Sequence, residues 1–268
     1  MKRQLLIHSL SELKSIYLPI LEIIKPKRIG EIGIEFAGNT KVLIDLLGVN
    51  KGELFSIEPK PNEQVEALFN KFKFAHLYNG KSLDVIDKLP TMCSWFIDGD
   101  HNWYTVFNEL KAIHRKECSD GSEHSVIFLH DIGFPWAFRD LYYNPADIPE
   151  KYLQAHCWES GVLHNDTIKK NGGFRGMGSF AISLKAGGDK NGVLCAVKDF
   201  LALHSKEYMF YNIPAVFGLG ILVPKSHKYH SEINNIVSIY ADNPLLKKLE
   251  ENRLNNYLRV IELQDAKN

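Results

Sequence analysis

An open α/β sheet, largely parallel and covered by helices on both faces, is the fold the sequence predicts, on three observations. The stretch Arg28–Leu47 reads as an apolar strand, a turn carrying Gly33, Ala37 and Gly38, and then a helix. Strand-like and helix-like segments alternate from there to Asp131, the pattern of parallel strands joined by helical crossovers. The strand segments run out into polar or acidic residues rather than into further apolar ones.

Ahead of the sheet, residues 4–24 place Leu5, Leu6, Leu10, Leu13, Tyr17, Leu21 and Ile24 at roughly helical spacing, which predicts an amphipathic helix broken at Pro19. After the Arg28–Leu47 unit, residues 52–57 form a second strand, ended by Glu58-Pro59 because proline cannot extend a buried ladder. A helix near 62–71, a strand at 74–78 and a helix near 82–88 follow. The fourth strand, 93–97, ends in Asp98-Gly99-Asp100-His101; residues 103–115 are helical in period; the fifth strand, 125–129, ends in His130-Asp131. Right-handed crossovers bring all these strand ends to one edge. Glu31, Glu58, the Asp98–His101 group and His130-Asp131 therefore converge there.

The alternation stops at residues 132–190, an aromatic- and glycine-rich interval expected to be a lid or binding insertion with little regular structure. Residues 191–204 read as a helix, 208–213 with 217–223 as a hairpin, and the tail from 231 as one or two amphipathic helices that pack on the body or on a second subunit. The organisation is thus an N-terminal helical segment (1–27), a sheet domain (28–224, with 132–190 as its insertion) and a helical tail (225–268).

At 268 residues, 45% hydrophobic and 24% charged, the chain suits one sizeable domain with additions. Its 32 basic and 32 acidic residues balance, leaving no electrostatic footprint for nucleic acid or an anionic membrane. The four scattered cysteines read as reduced thiols of a cytoplasmic protein, and no signal-peptide core or membrane span is expected.

Glu58, past the glycine turn at the end of the second strand, is placed to accept hydrogen bonds from ribose hydroxyls. Glu31 and Gly33 lie beside the same ligand. Glu35 and Ala37 stand where a dinucleotide fingerprint would need glycine, which favours an adenosine ligand without phosphates. Asp98, Asp100 and His101, with Asp131 across the neighbouring strand end, offer hard ligands for a divalent cation, or His101 offers a general base. His130 points into the same crevice on an even reading. The remaining histidines, His114, His124 and His204 among them, show no ligand spacing. The aromatics of 134–143 read as lid core rather than a base-stacking surface.

With these residues placed, the chain resembles the class I S-adenosylmethionine-dependent methyltransferases, and within them the macrocin-type sugar O-methyltransferase group. The matching pieces are Glu31-Ile-Gly33 through Ala37-Gly38-Asn39-Thr40, Phe55-Ser-Ile-Glu58-Pro59, Gly80-Lys-Ser82, Phe96-Ile-Asp98-Gly-Asp100-His101 with Tyr104, and Phe128-Leu-His130-Asp131. The resemblance implies a Rossmann-like sheet of seven strands with the last antiparallel. It implies S-adenosylmethionine held by Glu31, Gly33, Ala37, Gly38, Thr40, Glu58, Ser82 and Asp98, with His101 and Asp98 catalytic. It further implies Mg²⁺ on Asp98 and Asp131, although one carboxylate stands after the fifth strand where a pair is usual. The acceptor is expected against His130, Trp136, Arg139, Tyr142 and Tyr143. The implied reaction is O-methylation of a small sugar-like or natural-product acceptor. The alternatives are methylation of a phosphorus-linked oxygen or carboxylate in a surface-glycan pathway, and a binding module without turnover. Nucleic acid and membrane are not expected partners; a homodimer is left open.

Overall fold

A computed structural model describes residues 6–266 of the chain. Residues 6–9 are not helical, a 3-10 turn covers Leu10–Leu13, and helix α1 spans Lys14–Ile24; Leu5 of the expected helix lies outside the described residues. Pro19 sits inside α1 without breaking it. The proline removes one helical hydrogen bond, but Tyr17, Ile20 and Leu21 are fully buried on either side of it. Their burial, roughly 1.5–3 kcal/mol for each such side chain, outweighs the missing bond.

The first half then follows the expected alternation: β1 Arg28–Ile32, α2 Gly38–Asn50, β2 Glu53–Ile57, α3 Glu63–Phe69, β3 Ala75–Tyr78, α4 Ser82–Val85, β4 Ser94–Ile97, α5 Trp103–Ser119 and β5 Val126–His130. Five short strands of the insertion come next: β6 Leu141–Tyr142, β7 His156–Cys157, β8 Ser160–Val162, β9 Ile168–Lys170 and β10 Ala181–Ser183. Helix α6 (Val193–His204), strands β11 (Tyr208–Ile213) and β12 (Leu219–Pro224), and helices α7 (His230–Val237) and α8 (Pro244–Asp265) complete the chain.

Seven strands form one sheet in the order β11-β12-β5-β4-β1-β2-β3. The pairings among β1 to β5 are parallel, and β12 runs antiparallel to both β5 and β11. This is the expected Rossmann-like sheet. Consecutive residues of the central strands face opposite layers. Phe96 and Phe128 pack with Tyr17, Leu43, Leu47 and Ile233 on one face; Trp95, Ile97, Ile127 and Leu129 pack with Val106, Leu110 and Phe200 on the other. Strands covered on both sides read as near-continuous apolar runs, which is why they were visible in the sequence.

The insertion is more ordered than expected. It builds a three-stranded sheet β6-β10-β7 and a ribbon β8-β9. Asp140 ties it down: its Oδ1 accepts from the Trp103 N–H at 2.7 Å and the Gly192 N–H at 2.6 Å, and its Oδ2 accepts from Tyr142 Oη at 2.7 Å. Those donors come from the start of α5, the entry to α6 and the insertion itself, so one buried carboxylate links the insertion to two body helices.

Helix α8 fastens the opposite side. Arg175 of the insertion holds Asp265 through two hydrogen bonds of 2.9 and 2.7 Å. Glu250 Oε1 accepts from the Phe217 N–H at 2.8 Å, and Arg253 Nη1 donates to the Ile7 carbonyl at 2.7 Å. No helix among the described residues is long and apolar enough to cross a membrane.

Candidate functional site

In the sheet order, the direction of strand succession reverses between β1 and β4, and a crevice forms outside the carboxyl ends at such a switch point. A cavity of ≈ 420 Å³ lies there, within the range of small-ligand sites. The ends of β1, β4 and β5 supply Glu31, Gly33, Asp98, His101, His130 and Asp131 to its lining.

The two central strand ends meet at Gly33. Its φ is +85°, and a Cβ there would stand 2.2 Å from the Asp98 carbonyl oxygen. Only glycine fits both the backbone angle and the close approach. The turn continues through Glu35 and Ala37, at φ 47° and 58°. Helix α2 then begins with no side-chain cap among the described residues, leaving the first-turn N–H groups at Gly38 and Asn39 free for a ligand.

Glu31 is buried behind that turn. Its Oε1 accepts from Asn39 Nδ2 at 3.0 Å, and its Oε2 accepts from Thr40 Oγ1 at 3.0 Å and Ser56 Oγ at 2.7 Å. Burial pushes its carboxyl up to about 7, against these three hydrogen bonds, which favour the charged form.

Beside it, two carboxylates and two imidazoles form one cluster. His101 Nε2 lies 2.7 Å from Asp131 Oδ2 and 3.6 Å from Asp98 Oδ1. The His101 N–H does not point along the short line, so the contact is ionic rather than an aligned hydrogen bond, and neither ring nitrogen has a hydrogen-bond partner among the described residues. His130 Nδ1 lies 3.2 Å from Asp98 Oδ1, and its Nε2 lies 2.8 Å from the Val216 carbonyl. A carbonyl and a carboxylate both only accept, so His130 meets them as an imidazolium with both nitrogens donating.

The charge balance agrees with the geometry. Burial works against the charged form of each imidazole. Even so, Asp131, with Asp98 behind it, holds His101 up at about 10, and Asp98, with Asp131, holds His130 at about 9. Burial likewise works against the Asp98 carboxylate, yet His130 and His101 hold it down at about 2. Folded-state values raised above the ordinary imidazole range make a contribution to stability that is full below about pH 6.5. It is lost as pH rises through about 9 and 10. In the ligand-free protein, NMR titration of the imidazole C–H resonances is expected to show His130 and His101 still charged at neutrality. Midpoints near the ordinary value of about 6.5 would refute this.

The far wall is aromatic. Trp136 is buried, with Phe174 and Phe180 edge-on to it at 5.9 and 5.6 Å between centroids. Tyr143, half exposed at the mouth, sets its ring 6.3 Å from that of His101. These rings are the packed core of the insertion turned toward the cavity, as lid-core aromatics would be.

Several sequence-based assignments change. Arg139 and Tyr142 do not line the cavity. Arg139 is buried in the insertion, donating to the Ser183 carbonyl at 2.5 Å and the Asp166 carbonyl at 2.7 Å, and Tyr142 is engaged with Asp140. His130 lines the cavity but both its nitrogens are committed, so it has no donor left for an acceptor. Ala37, Thr40, Glu58 and Ser82 also lie outside the cavity's lining. Thr40 supports Glu31, and Ser82 donates to the buried Glu109 at 2.5 Å. Glu58 accepts from the Ile34 N–H and the Lys60 N–H, both at 3.1 Å, and so braces the turn.

Asp98, His130 and Asp131 each present a ligand atom within 4.8 Å of the others. This donor set fits Mg²⁺ poorly. A magnesium ion takes oxygens in an octahedron, whereas here the third donor is an imidazole nitrogen, and the two carboxylate charges are already answered by His101 and His130.

Sequence reasoning missed the segment His8–Glu12, which lines the cavity alongside Phe36, Asn39 and Phe217. One local signal existed: Ser9-Leu-Ser-Glu12 has the spacing of a helix-start capping box, and the Ser11 N–H does donate to Ser9 Oγ at 3.2 Å. That signal marks a chain end entering a helix at Leu10, not a wall.

Solved structures of methyltransferases resemble this fold at low identity. PaMTH1, a methyltransferase of Podospora anserina with SAH bound, superposes with a TM-score of 0.45 and 14% identity, over 78% of this chain and 76% of its own. An O-methyltransferase from Bacillus cereus in complex with SAH gives 0.44 and 14%, over 81% and 82%. Cofactor-bound Rv0187 from MTB gives 0.48 and 13%, over 82% and 83%. No protein-family model and no curated protein matches the chain. The strand order, and not these likenesses, defines the fold.

Proposed function

We propose that the protein is an S-adenosylmethionine-dependent O-methyltransferase acting on a small hydroxylated acceptor of sugar-like size. One observation carries the reading: a single cavity at the switch point joins an uncapped glycine turn to a cluster of two carboxylates and a buried, hydrogen-bond-free imidazole. When bound, S-adenosylmethionine supplies a sulfonium methyl that already carries the driving force, so the protein has to align the acceptor oxygen and dispose of its proton.

The N–H groups opening α2 suit the donor's α-carboxylate, and Glu31 beside them suits its α-ammonium. Glu58, half-buried at the rim just outside the cavity's lining, is assigned to the ribose hydroxyls, since each of its oxygens keeps a lone pair beyond its backbone bond. His101, facing Tyr143 and the aromatic wall, takes the acceptor's proton. It can do so only as a neutral imidazole. A positive charge entering beside Asp98 and Asp131 weakens their hold on the proton and lowers its affinity. Asp131 then steadies the imidazolium that forms. Turnover is expected without added Mg²⁺.

Calorimetry with S-adenosylmethionine tests the first half. One site of micromolar affinity is expected, weakened about ten- to a hundred-fold in Glu58→Ala, the range for losing hydrogen bonds to a charged group. Absence of binding by the wild-type chain would remove the whole reading.

The imidazolium state of His101 favours a second reading, in which the acceptor is already an oxyanion, a carboxylate or a phosphorus-linked oxygen. His101 would then donate to it and no base is needed. The pH dependence of kcat/KM separates the two, because it reports the free enzyme. A rate that climbs toward the high pKa of His101 supports the base; one that falls through it supports the oxyanion. Binding with no turnover on any acceptor would leave only a binding module.

A further inference from the structure

We propose that His114, His124, His204 and Glu207 bind a divalent transition-metal ion of the zinc class, at the edge of the sheet opposite the cavity. His114 lies late in α5, His124 in the loop entering β5, His204 at the end of α6 and Glu207 in the turn entering β11. All four therefore sit at the amino ends of β5 and β11, about one strand length, on the order of 17 Å, from Asp131.

The donor atoms gather on Glu207. Glu207 Oε2 lies 2.7 Å from His114 Nε2 and 3.4 Å from His124 Nε2, and Glu207 Oε1 lies 2.8 Å from His204 Nδ1. The ligand atoms of His114, His204 and Glu207 are all within 4.8 Å of one another. Zinc takes four such nitrogen and oxygen donors at about 2.0–2.2 Å, which sets them roughly 3.3 Å apart in a tetrahedron. The three contacts to Glu207, at 2.7, 3.4 and 2.8 Å, lie within about half an ångström of that spacing.

The surroundings resemble those of a ligating histidine. His124 Nδ1 lies 3.0 Å from Glu117 Oε2, and the other Glu117 oxygen accepts from the Ser125 N–H and hydroxyl. A histidine that donates one nitrogen to an anchored carboxylate turns the other, with its lone pair, toward a metal. The imidazoles are nested, His114 to His124 at 4.8 Å and His114 to His204 at 4.0 Å between centroids. Phe200 and Tyr208 pack beneath them. Cys118 Sγ, 3.8 Å from His114 Nε2, is a neighbouring thiol outside the ligand set. No sequence spacing reveals the cluster, because the four residues come from separate elements.

The test is equilibrium dialysis of the full chain against Zn²⁺, with bound metal measured by elemental analysis. One equivalent is expected in the wild type, with the affinity falling at least tenfold in both Glu207→Gln and His204→Asn, each checked for native circular dichroism. Asp131→Asn, at the other edge, and Cys118→Ser are expected to keep that equivalent. A thermal upshift on adding Zn²⁺, absent in Glu207→Gln, should accompany binding. Failure of the wild type to bind, equal binding by Glu207→Gln and His204→Asn, or loss of the equivalent in Asp131→Asn or Cys118→Ser would overturn this assignment.

Discussion

His101→Ala is expected to lower kcat by roughly a hundred- to ten-thousand-fold, the usual worth of a positioned acid–base group, while the affinity for S-adenosylmethionine changes little. On the proposed assignment the donor's contacts belong to the α2 turn and Glu58, whereas His101 lies against Asp98, Asp131 and the Tyr143 ring. A companion variant, Asp131→Asn, removes the carboxylate that contributes most to holding His101 at about 10. The pH–kcat/KM profile should then move to lower pH, because a neutral partner no longer stabilises the imidazolium. Single-turnover assays with tritiated methyl donor provide the measurement. Near wild-type turnover in His101→Ala, with the fold intact, would exclude His101 as the base. A raised KM with kcat preserved would point to the oxyanion acceptor instead.

Gly33→Ala is expected to destabilise the protein by roughly 3 kcal/mol or more and to abolish donor binding. Two costs add. A side chain at φ +85° loses roughly 1–2 kcal/mol to backbone sterics. The new Cβ would also fall 2.2 Å from the Asp98 carbonyl oxygen and 2.7 Å from Gly99 Cα; both are backbone, which yields less readily than a side chain, and overpacking costs typically 1–3 kcal/mol. Gly121→Ala isolates the first cost, since Gly121 has φ +62° with nothing within 4 Å of a Cβ. Denaturant unfolding of both variants measures the difference. Equal losses in the two would mean that the β1 and β4 ends are not held together as described.

Gly33 also shows why the sheet was legible in the sequence. β1, β2, β4 and β5 are strands buried on both faces over most of their length, and β1, β4 and β5 carry cavity-lining residues within a few positions of their ends. Glu31, Asp98, His101 and Asp131 could be placed from their neighbours alone. What failed to show depends on partners distant in the chain. Arg139 looked like an acceptor contact, but its carbonyl partners lie at Asp166 and Ser183. Pro19 looked like a break because the apolar layer that keeps α1 straight is supplied by β4 and β5. The segment at 8–12 becomes a wall because Leu10 and Leu13 are buried in the sheet's core and Arg253 of α8 donates to the Ile7 carbonyl just before it, and His114, His124 and His204 become neighbours only once α5 and α6 lie side by side.

The chain's far end imposes an order on the molecule's assembly. The segment that walls the cavity is made before the sheet, yet the Arg253 guanidinium that donates to the Ile7 carbonyl, and the Leu254 side chain packed with Leu6, come some 246 positions later in the sequence. Domains otherwise fold as they emerge. Here the sheet can form while the segment beside the cavity still lacks its α8 contacts. A nascent chain arrested before α8 would hold the sheet without the Arg253 and Leu254 contacts that fix residues 6 and 7 beside the cavity, so that side of the cavity is fastened only once α8 is made.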